Sequence, residues 1–179
     1  MSKARSPHVH ASDDEIRGWF TGRLPQGWFV GSLDVTTDRD EILVVGTIAA
    51  PEIDDDESDE AREAAISARI GGFREDTRAR RMMIADEAQH RFGRTVSWGV
   101  ICGDRRVSFT TLSLPAMTRL RQPERRVLDT LVEAGVARSR SHALAWCVRL
   151  VAERQDEWLR DLREALTKVE QVRADGPTD

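Results

Sequence analysis

The chain contains 179 residues, enough for one ordinary domain with a sizeable core or for two small ones. It is 40% hydrophobic and 32% charged, a balance that argues against disorder throughout, and no stretch approaches the roughly 18 consecutive apolar residues of a membrane span. We therefore expect a soluble protein, and its formal net charge of −4, taken as an average, gives no support for a nucleic-acid partner.

Residues 1–11 precede the first predicted element. They are polar and lack the apolar region of a secretory signal, so we expect a disordered tail and a cytoplasmic protein. His8 and His10 have the spacing of a weak metal pair, but the tail supplies no third ligand. The sequence therefore predicts no metal site here.

A short helix and a hairpin are predicted next. Ser12-Asp-Asp-Glu15 fits a capping box, in which the serine accepts from the third helical amide and the glutamate reaches back, so we expect a helix over residues 13–21. Residues 28–36 and 41–49 are rich in β-forming side chains and are joined by four polar residues, which predicts a β-hairpin.

Residues 51–60 open with a proline and contain almost no apolar side chain. Their carboxylates repel one another, so we expect a solvated acidic linker that leads into a helix. A sharper alternative is that this block mimics nucleic acid and competes for the basic segments of the chain.

The pattern from residue 61 to residue 92 predicts one long helix, which Gly71-Gly72 should kink or break. The apolar stripe of that helix consists of Ile66, Ile70, Phe73, Thr77, Ile84 and Ala88. Arginines flank the stripe, with Arg69, Arg80 and Arg91 beside one edge and Arg74 and Arg81 beside the other. Either their stems cover the rim of the core, or the helix faces RNA or DNA.

Residues 94–102 and 105–114 predict a second hairpin, with Gly103-Asp104 as its turn. Residues 12–114 therefore predict an α+β domain in which helices cover an antiparallel sheet made of the two hairpins. Cys102 in this hairpin and Cys147 further along lie in apolar patterns, which favours buried, reduced thiols over a disulfide.

The segment 115–154 has the most specific pattern. The alternating run Thr118-Arg-Leu120 precedes Pro123, which fits the first turn of a helix over residues 123–134. Gly135 is placed as the left-handed cap of that helix.

A second helix is predicted after Arg138-Ser-Arg-Ser141, whose serines are natural N-caps. Its interior, Ala143 to Val148 with Leu150 and Val151, is apolar around far more than the usual third of the helix surface. A segment of about 40 residues is too small to cover such a helix, so we expect a dimer.

This order of strand, helix, glycine turn, Ser-Arg-Ser cap and apolar second helix resembles the ribbon-helix-helix family of bacterial DNA-binding proteins and antitoxins. The similarity covers residues 116–154, and its most specific part is Gly135 to Leu144. The resemblance implies an intertwined homodimer whose two strands pair as an antiparallel ribbon in the major groove of double-stranded DNA. It also implies that the second helix presents its N-terminal amides to phosphate.

The resemblance implies a role for each matching residue. Base edges would be read by the outward face of the ribbon, formed by Met117, Arg119 and Arg121. Phosphates would be contacted by Arg138, Ser139, Arg140 and Ser141. The core and dimer interface would contain Leu120, Leu128, Leu131, Leu144, Trp146, Cys147 and Val148. Without DNA, Arg119 and Arg121 would instead be the charges that protect an edge strand.

The segment departs from the family pattern in three places. His142 occupies a position where the family very often has an acidic residue, which should slightly weaken the first turn of the helix. The ribbon strand follows another predicted strand through Pro115, so the upstream domain could obstruct its groove-facing side. Gln122-Pro123 makes the junction from strand to helix unusual.

The end of the chain predicts a helical tail over residues 155–175. Its apolar residues have 3-4-3 spacing, which favours a short coiled coil or packing against the N-terminal domain; they are Leu159, Leu162, Leu166 and Val169.

Charge is distributed unevenly along the chain. Residues 51–61 contain seven carboxylates and no cation, residues 116–154 contain eight arginines against four carboxylates, and residues 155–179 contain four cations against seven carboxylates. Lys3 and Lys168 are the only lysines, so 25 of the 27 cations are arginine. A GC-rich genome and selection for bidentate contacts to phosphate and guanine both favour this usage.

No phosphate-binding loop, zinc-protease motif or Cys-x-x-Cys motif is present, and neither cysteine has a convincing histidine partner. We therefore predict no catalytic residues, no cofactor and no enzyme. The favoured hypothesis is a dimeric, sequence-specific bacterial DNA-binding protein, a transcriptional regulator, associated with the nucleoid when bound. Its N-terminal domain would serve a protein partner or a small-molecule effector. Two alternatives are an antitoxin-like assembly protein that uses the module only to dimerise, and an RNA-binding protein that uses the arginine-edged helix.

Overall fold

The computed structural model of the protein describes residues 11–53 and 57–175. The predicted N-terminal tail lies outside these residues except for Ala11, and so does the middle of the predicted acidic linker, residues 54–56. The chain divides into two compact units, one ending at Leu114 and the other starting at Pro115.

The first helix, α1, spans Asp13–Arg23. Its predicted cap is confirmed, since Ser12 Oγ accepts from the Glu15 amide at 3.1 Å. The Glu15 carboxylate does not reach back as expected and instead accepts from Arg91 Nη2 at 3.3 Å. Ile16 and Phe20 lie on the apolar face of α1, and both side chains are completely buried.

The four strands are β1 (Val30–Thr37), β2 (Glu41–Thr47), β3 (Thr95–Cys102) and β4 (Arg105–Ser108), in the sheet order β1-β2-β3-β4. Both predicted hairpins are confirmed, because β1 pairs antiparallel with β2 and β3 pairs antiparallel with β4.

The prediction of a wholly antiparallel sheet is wrong. Strand β2 pairs with β3 in parallel, from Glu41 opposite Thr95 to Thr47 opposite Ile101. The helical connection between these strands returns the chain to the same end of the sheet, and such a crossover is what joins parallel neighbours. The fold is still α+β in the coarse sense, with one mixed sheet.

The predicted strand over residues 105–114 is too long, since β4 ends at Ser108. Beyond it the Phe109 amide still donates to the Trp98 carbonyl at 2.7 Å, and the Trp98 amide donates to Thr110 Oγ1 at 3.0 Å. The Leu112 amide then donates to Glu41 Oε1 at 3.0 Å, so this segment is tied to the sheet without extending it.

The predicted long helix is two helices, α2 (Asp59–Asp76) and α3 (Arg78–Phe92), and the break lies at Thr77 instead of at Gly71-Gly72. Thr77 Oγ1 donates to the carbonyl of Phe73 at 2.6 Å, a bond that competes with regular helix geometry. Both glycines continue the helix, where a glycine is less favourable than alanine by about 1 kcal/mol, which is too little to end it here.

The predicted apolar stripe faces the sheet. Ile70, Phe73, Thr77, Ile84 and Ala88 are buried, and Ile66 is half-buried. Of the arginines expected beside the stripe, Arg81 is itself buried, so its guanidinium does not lie on the rim.

The core of the N-terminal unit lies between the helices and the sheet and is strongly aromatic. Phe20 packs edge to face on Trp19 and Trp98, with ring centroids 4.9 and 6.0 Å apart. Cys102 is a buried free thiol, and burial raises its pKa, as expected for a structural cysteine.

The C-terminal unit contains three helices: α4 (Gln122–Glu133), α5 (Arg140–Arg154) and α6 (Asp156–Asp175). Among the described residues, no helix combines the length and apolar character that crossing a membrane requires.

Candidate nucleic-acid interface

The first turn of α4 and the connection from α4 to α5 contain the proline and glycine in the positions that the sequence predicts. Pro123 lies in the first turn of α4, where no amide is needed. Gly135 has a φ of 74°, the left-handed conformation that a glycine adopts without steric cost. The amides of Val136 and Ala137 then donate to the carbonyl of Leu131 at 3.0 and 3.1 Å, which satisfies the end of α4.

The N-terminus of α5 is capped from both directions. Ser139 Oγ accepts from the His142 amide at 3.2 Å, which confirms the predicted serine cap. The His142 ring makes a second hydrogen bond here, in which Nδ1 accepts from the Arg138 amide at 3.3 Å when the ring proton is on Nε2. His142 therefore binds back to the residue before the N-cap, whereas the acidic residue of a capping box accepts from the N-cap amide itself.

An ion pair joins the first turn of α5 to α4. Arg140 Nε and Nη2 donate to Asp129 Oδ1 and Oδ2 at 2.6 and 2.7 Å. These hydrogen bonds hold the pKa of the Asp129 carboxyl below its usual value and raise the pKa of Arg140. The Arg140 guanidinium, predicted to contact phosphate, is therefore engaged by a carboxylate, whereas Arg138 and Ser141 are exposed.

The C-terminal unit has a small core. Only Leu128, Ala137 and Ala143 are buried among its described residues, and half-buried neighbours pack around them: Leu120, Leu131, Val132, Leu144 and Cys147. A core of this size provides little hydrophobic stabilisation for a unit with three helices.

Much of the apolar surface of α5 and α6 is exposed. Of the predicted interface residues, Val148 is 63% exposed, and Leu120, Leu144, Trp146 and Cys147 are half-buried. On α6, three residues of the 3-4-3 stripe are exposed and add to this surface: Leu162, Leu166 and Val169. Trp158 and Val172 of the same helix are exposed as well. Large exposed apolar patches are typical of surfaces that associate with a partner.

The segment predicted to form the ribbon strand, residues 117–121, belongs to no helix or strand in the described part of the chain. A ribbon strand takes its hydrogen bonds from a second copy of itself, so a single chain offers it no pairing. Met117 is 98% exposed, and Arg119 and Arg121 are also exposed. Leu120 points the other way and packs on the small core.

A groove of about 330 Å³ separates this segment from the helix pair. Met117 and Leu120 line one wall, and Arg140 and Ser141 of α5 line the other. Arg125 Nη1 donates to the Leu120 carbonyl at 2.7 Å and fixes the junction with α4. Met117 is therefore the one predicted base-reading residue at this groove, together with the predicted phosphate-contacting residues Arg140 and Ser141, and neither Arg119 nor Arg121 lines it.

Two contacts at this site were missed by the sequence analysis. The Asp129–Arg140 pair spans eleven residues across a turn, and only the expectation of antiparallel helices would have suggested it. The bond from Arg138 to His142 has a local signal, because the ring lies at the third helical position, where capping boxes place their acceptor. Within residues 11–53 and 57–175, no group of three or more His, Cys, Asp or Glu side chains could hold a metal ion.

Two family descriptions match the chain, one for each unit. Residues 14–108 match "Rv1265-like protein, N-terminal domain", and residues 121–173 match "Mb1296 C-terminal domain". The uncharacterized proteins Mb1296 of Mycobacterium bovis and Rv1265 of Mycobacterium tuberculosis are each 55% identical over 159 residues, which is 89% of this chain and 69% of the relative. No solved structure matches the chain. Neither description refers to ribbon-helix-helix proteins, so that resemblance stays a prediction.

Proposed function

The chain belongs to the Rv1265-like family, and we propose that its C-terminal unit dimerises and binds double-stranded DNA as a sequence-specific transcriptional regulator. The observation that carries this proposal is the two-sided segment at residues 117–121. Its Leu120 side packs on the helix pair, while Met117, Arg119 and Arg121 are left free for a base-reading surface.

The N-terminus of α5 supports the proposal as a phosphate contact. The hydroxyl of Ser139 is used by the His142 amide, and the Ala143 amide donates to the Ser139 carbonyl at 2.9 Å. The amides of Arg140 and Ser141 make no such bond among the described residues, so they are free to donate to an anion. The exposed Arg138 adds positive charge beside them.

Dimerisation would complete both the core and the ribbon. A second copy would cover the half-buried Trp146 and the exposed Val148, and it would give residues 117–121 a strand to pair with. It would also double the basic charge of residues 116–154, where eight arginines stand against four carboxylates. This charge is modest, so we expect moderate, salt-sensitive affinity for DNA.

The RNA-binding alternative has less support, because three of the arginines along α2 and α3 are engaged within the protein. Arg69 Nε donates to the Ala49 carbonyl at 3.1 Å, Arg91 pairs with Glu15 at 3.3 Å, and Arg81 is buried. These arginines do not form a free basic face. The assembly alternative needs only the dimer, and it is separated from DNA binding by the experiment below.

Sequence preference can be tested by selecting duplexes from a random library with the full chain and then measuring fluorescence anisotropy. Arg119→Ala/Arg121→Ala should lose most of the preference for the selected duplex, since each good arginine contact to a base gives about 1–3 kcal/mol of discrimination. Arg163→Ala/Arg173→Ala is the matched control, because it removes two exposed arginines from α6. Equal preference in all three proteins would refute readout by this segment, and a dimer that selects no duplex would favour the assembly role.

A further inference from the structure

A cleft of about 580 Å³ opens in the N-terminal unit where α2 meets α3 above β3. Three arginines, Arg74, Arg78 and Arg81, line it together with a single carboxylate, that of Glu75. Trp98 and Phe109 form its aromatic floor. Clefts of this volume are typical of sites for small molecules.

Arg81 is the unusual member of this group, since it is only 6% exposed. Its Nε donates to Thr77 Oγ1 at 2.9 Å, and its Nη2 donates to the Arg74 carbonyl at 2.7 Å. Its guanidinium also lies 4.8 Å from the ring centroid of Phe109. All of these partners are uncharged.

The positive charge of the cleft is not neutralised within the described residues. None of the three arginines forms an ion pair there, and burial, followed by repulsion from Arg74 and Arg78, lowers the pKa of Arg81. An arginine nevertheless stays protonated in a protein. A buried guanidinium without a counter-charge is costly, and a bound anion would offset that cost.

The break between α2 and α3 holds Arg81 in this position. The hydroxyl of Thr77 donates to the Phe73 carbonyl at 2.6 Å and accepts from Arg81 at 2.9 Å, so one side chain both ends α2 and fixes the guanidinium. A donor group that is fixed before binding loses little entropy when a ligand arrives.

We propose that this cleft binds a small phosphorylated organic compound, with the phosphate held by Arg74, Arg78 and Arg81 and the apolar part lying against Met82 and Ala85. Three guanidinium groups suit a phosphate, which carries about two negative charges and accepts bidentate hydrogen bonds, better than a carboxylate with one charge. Met82 is 58% exposed at the same cleft and supplies an apolar wall. This site is independent of the DNA-binding proposal.

Calorimetric titration of the full chain, free of DNA and in a phosphate-free buffer, tests the site with phenyl phosphate, inorganic phosphate and benzoate. We expect saturable binding of phenyl phosphate, with inorganic phosphate and benzoate each at least about tenfold weaker. In an NMR titration with phenyl phosphate, the chemical shift of the Trp98 indole should change, whereas that of the Trp146 indole in the other unit should not. Benzoate binding as tightly as phenyl phosphate would overturn the assignment to phosphate.

Variants locate the site. Arg74→Ala and Arg78→Ala should each weaken binding of phenyl phosphate about tenfold, and both residues are exposed, so the fold should tolerate the change. Arg80→Ala is the matched control, since Arg80 is an exposed arginine of α3, the helix that contains Arg78, and it does not line the cleft. Absence of saturable binding at millimolar phenyl phosphate, or equal binding by all four proteins, would overturn the proposal.

Discussion

Arg140 and Asp129 form a two-point ion pair, with Nε to Oδ1 at 2.6 Å and Nη2 to Oδ2 at 2.7 Å. The pair joins the first turn of α5 to the middle of α4, so it sets how the two helices of the proposed DNA-binding module meet. It also places a carboxylate beside the amides that would contact a phosphate.

Asp129→Asn should lower the stability of the C-terminal unit in a pH-dependent manner. The hydrogen bonds from Arg140 hold the pKa of Asp129 below its unfolded value, so the stabilisation is complete above about pH 4 and is lost as the pH falls through the folded pKa. The urea midpoint of the variant should therefore lie below that of the wild type at pH 7, and the difference should shrink at pH 3. Glu133→Gln, an exposed change on the same helix, is the control. A difference that does not depend on pH would contradict this account.

The same substitution should strengthen DNA binding. Asp129 competes with phosphate for Arg140, and its removal frees one guanidinium for the DNA backbone. We expect Asp129→Asn to bind random duplex DNA more tightly, with a plot of log K against log salt that is steeper by about one unit. Glu133→Gln should leave the slope unchanged. Weaker binding by Asp129→Asn would mean that the ion pair orders the DNA-binding surface instead of competing with it.

Thr77→Val should destabilise the N-terminal unit by about 2 kcal/mol, because it leaves Arg81 Nε buried without its acceptor and removes the bond to Phe73. Thermal or urea unfolding measures the effect, and Thr77→Ser should recover most of it. Thr130→Val is the matched control, since Thr130 makes the same type of bond to the Arg126 carbonyl at 3.0 Å on an exposed surface. Equal losses at both positions would argue that Thr77 does not position Arg81.

Trp146→Asp should convert a dimer into monomers in sedimentation velocity, because the half-buried indole lies on the apolar side of α5 that a second copy would cover. Arg39→Asp introduces the same side chain at an exposed position of the N-terminal unit and should leave the dimer intact. The proposed shared interface would be ruled out by a folded Trp146→Asp variant that sediments as an unchanged dimer.

The sequence predicts those features that depend on local chemistry. Ser12 and Ser139 cap their helices because a hydroxyl is needed near the first free amides, and Gly135 ends α4 because the chain needs a positive φ there. The apolar stripe of α2 and α3 follows from helical periodicity alone. These signals lie within a few residues of the structure they specify.

The features that the sequence does not predict depend on distant contacts. The parallel pairing of β2 with β3 follows from the direction of the crossover, and two hairpins have the same local pattern in a mixed sheet as in an antiparallel one. The burial of Arg81 depends not only on nearby Thr77 but also on the ring of Phe109, which follows β4 and is distant in sequence. In the proposed dimer, the pairing of residues 117–121 would come from a second copy of the chain, which no local pattern specifies.

In the proposed function, the C-terminal unit binds duplex DNA through arginine contacts to phosphates and bases. The most direct test is the affinity of the full chain for random duplex DNA between about 50 and 200 mM salt. We expect binding whose log K falls linearly with log salt, with a slope smaller by about one unit for Arg138→Ala, which removes a predicted phosphate contact, than for Arg163→Ala. A well-folded dimer that binds no duplex at about 50 mM salt would contradict the proposed function.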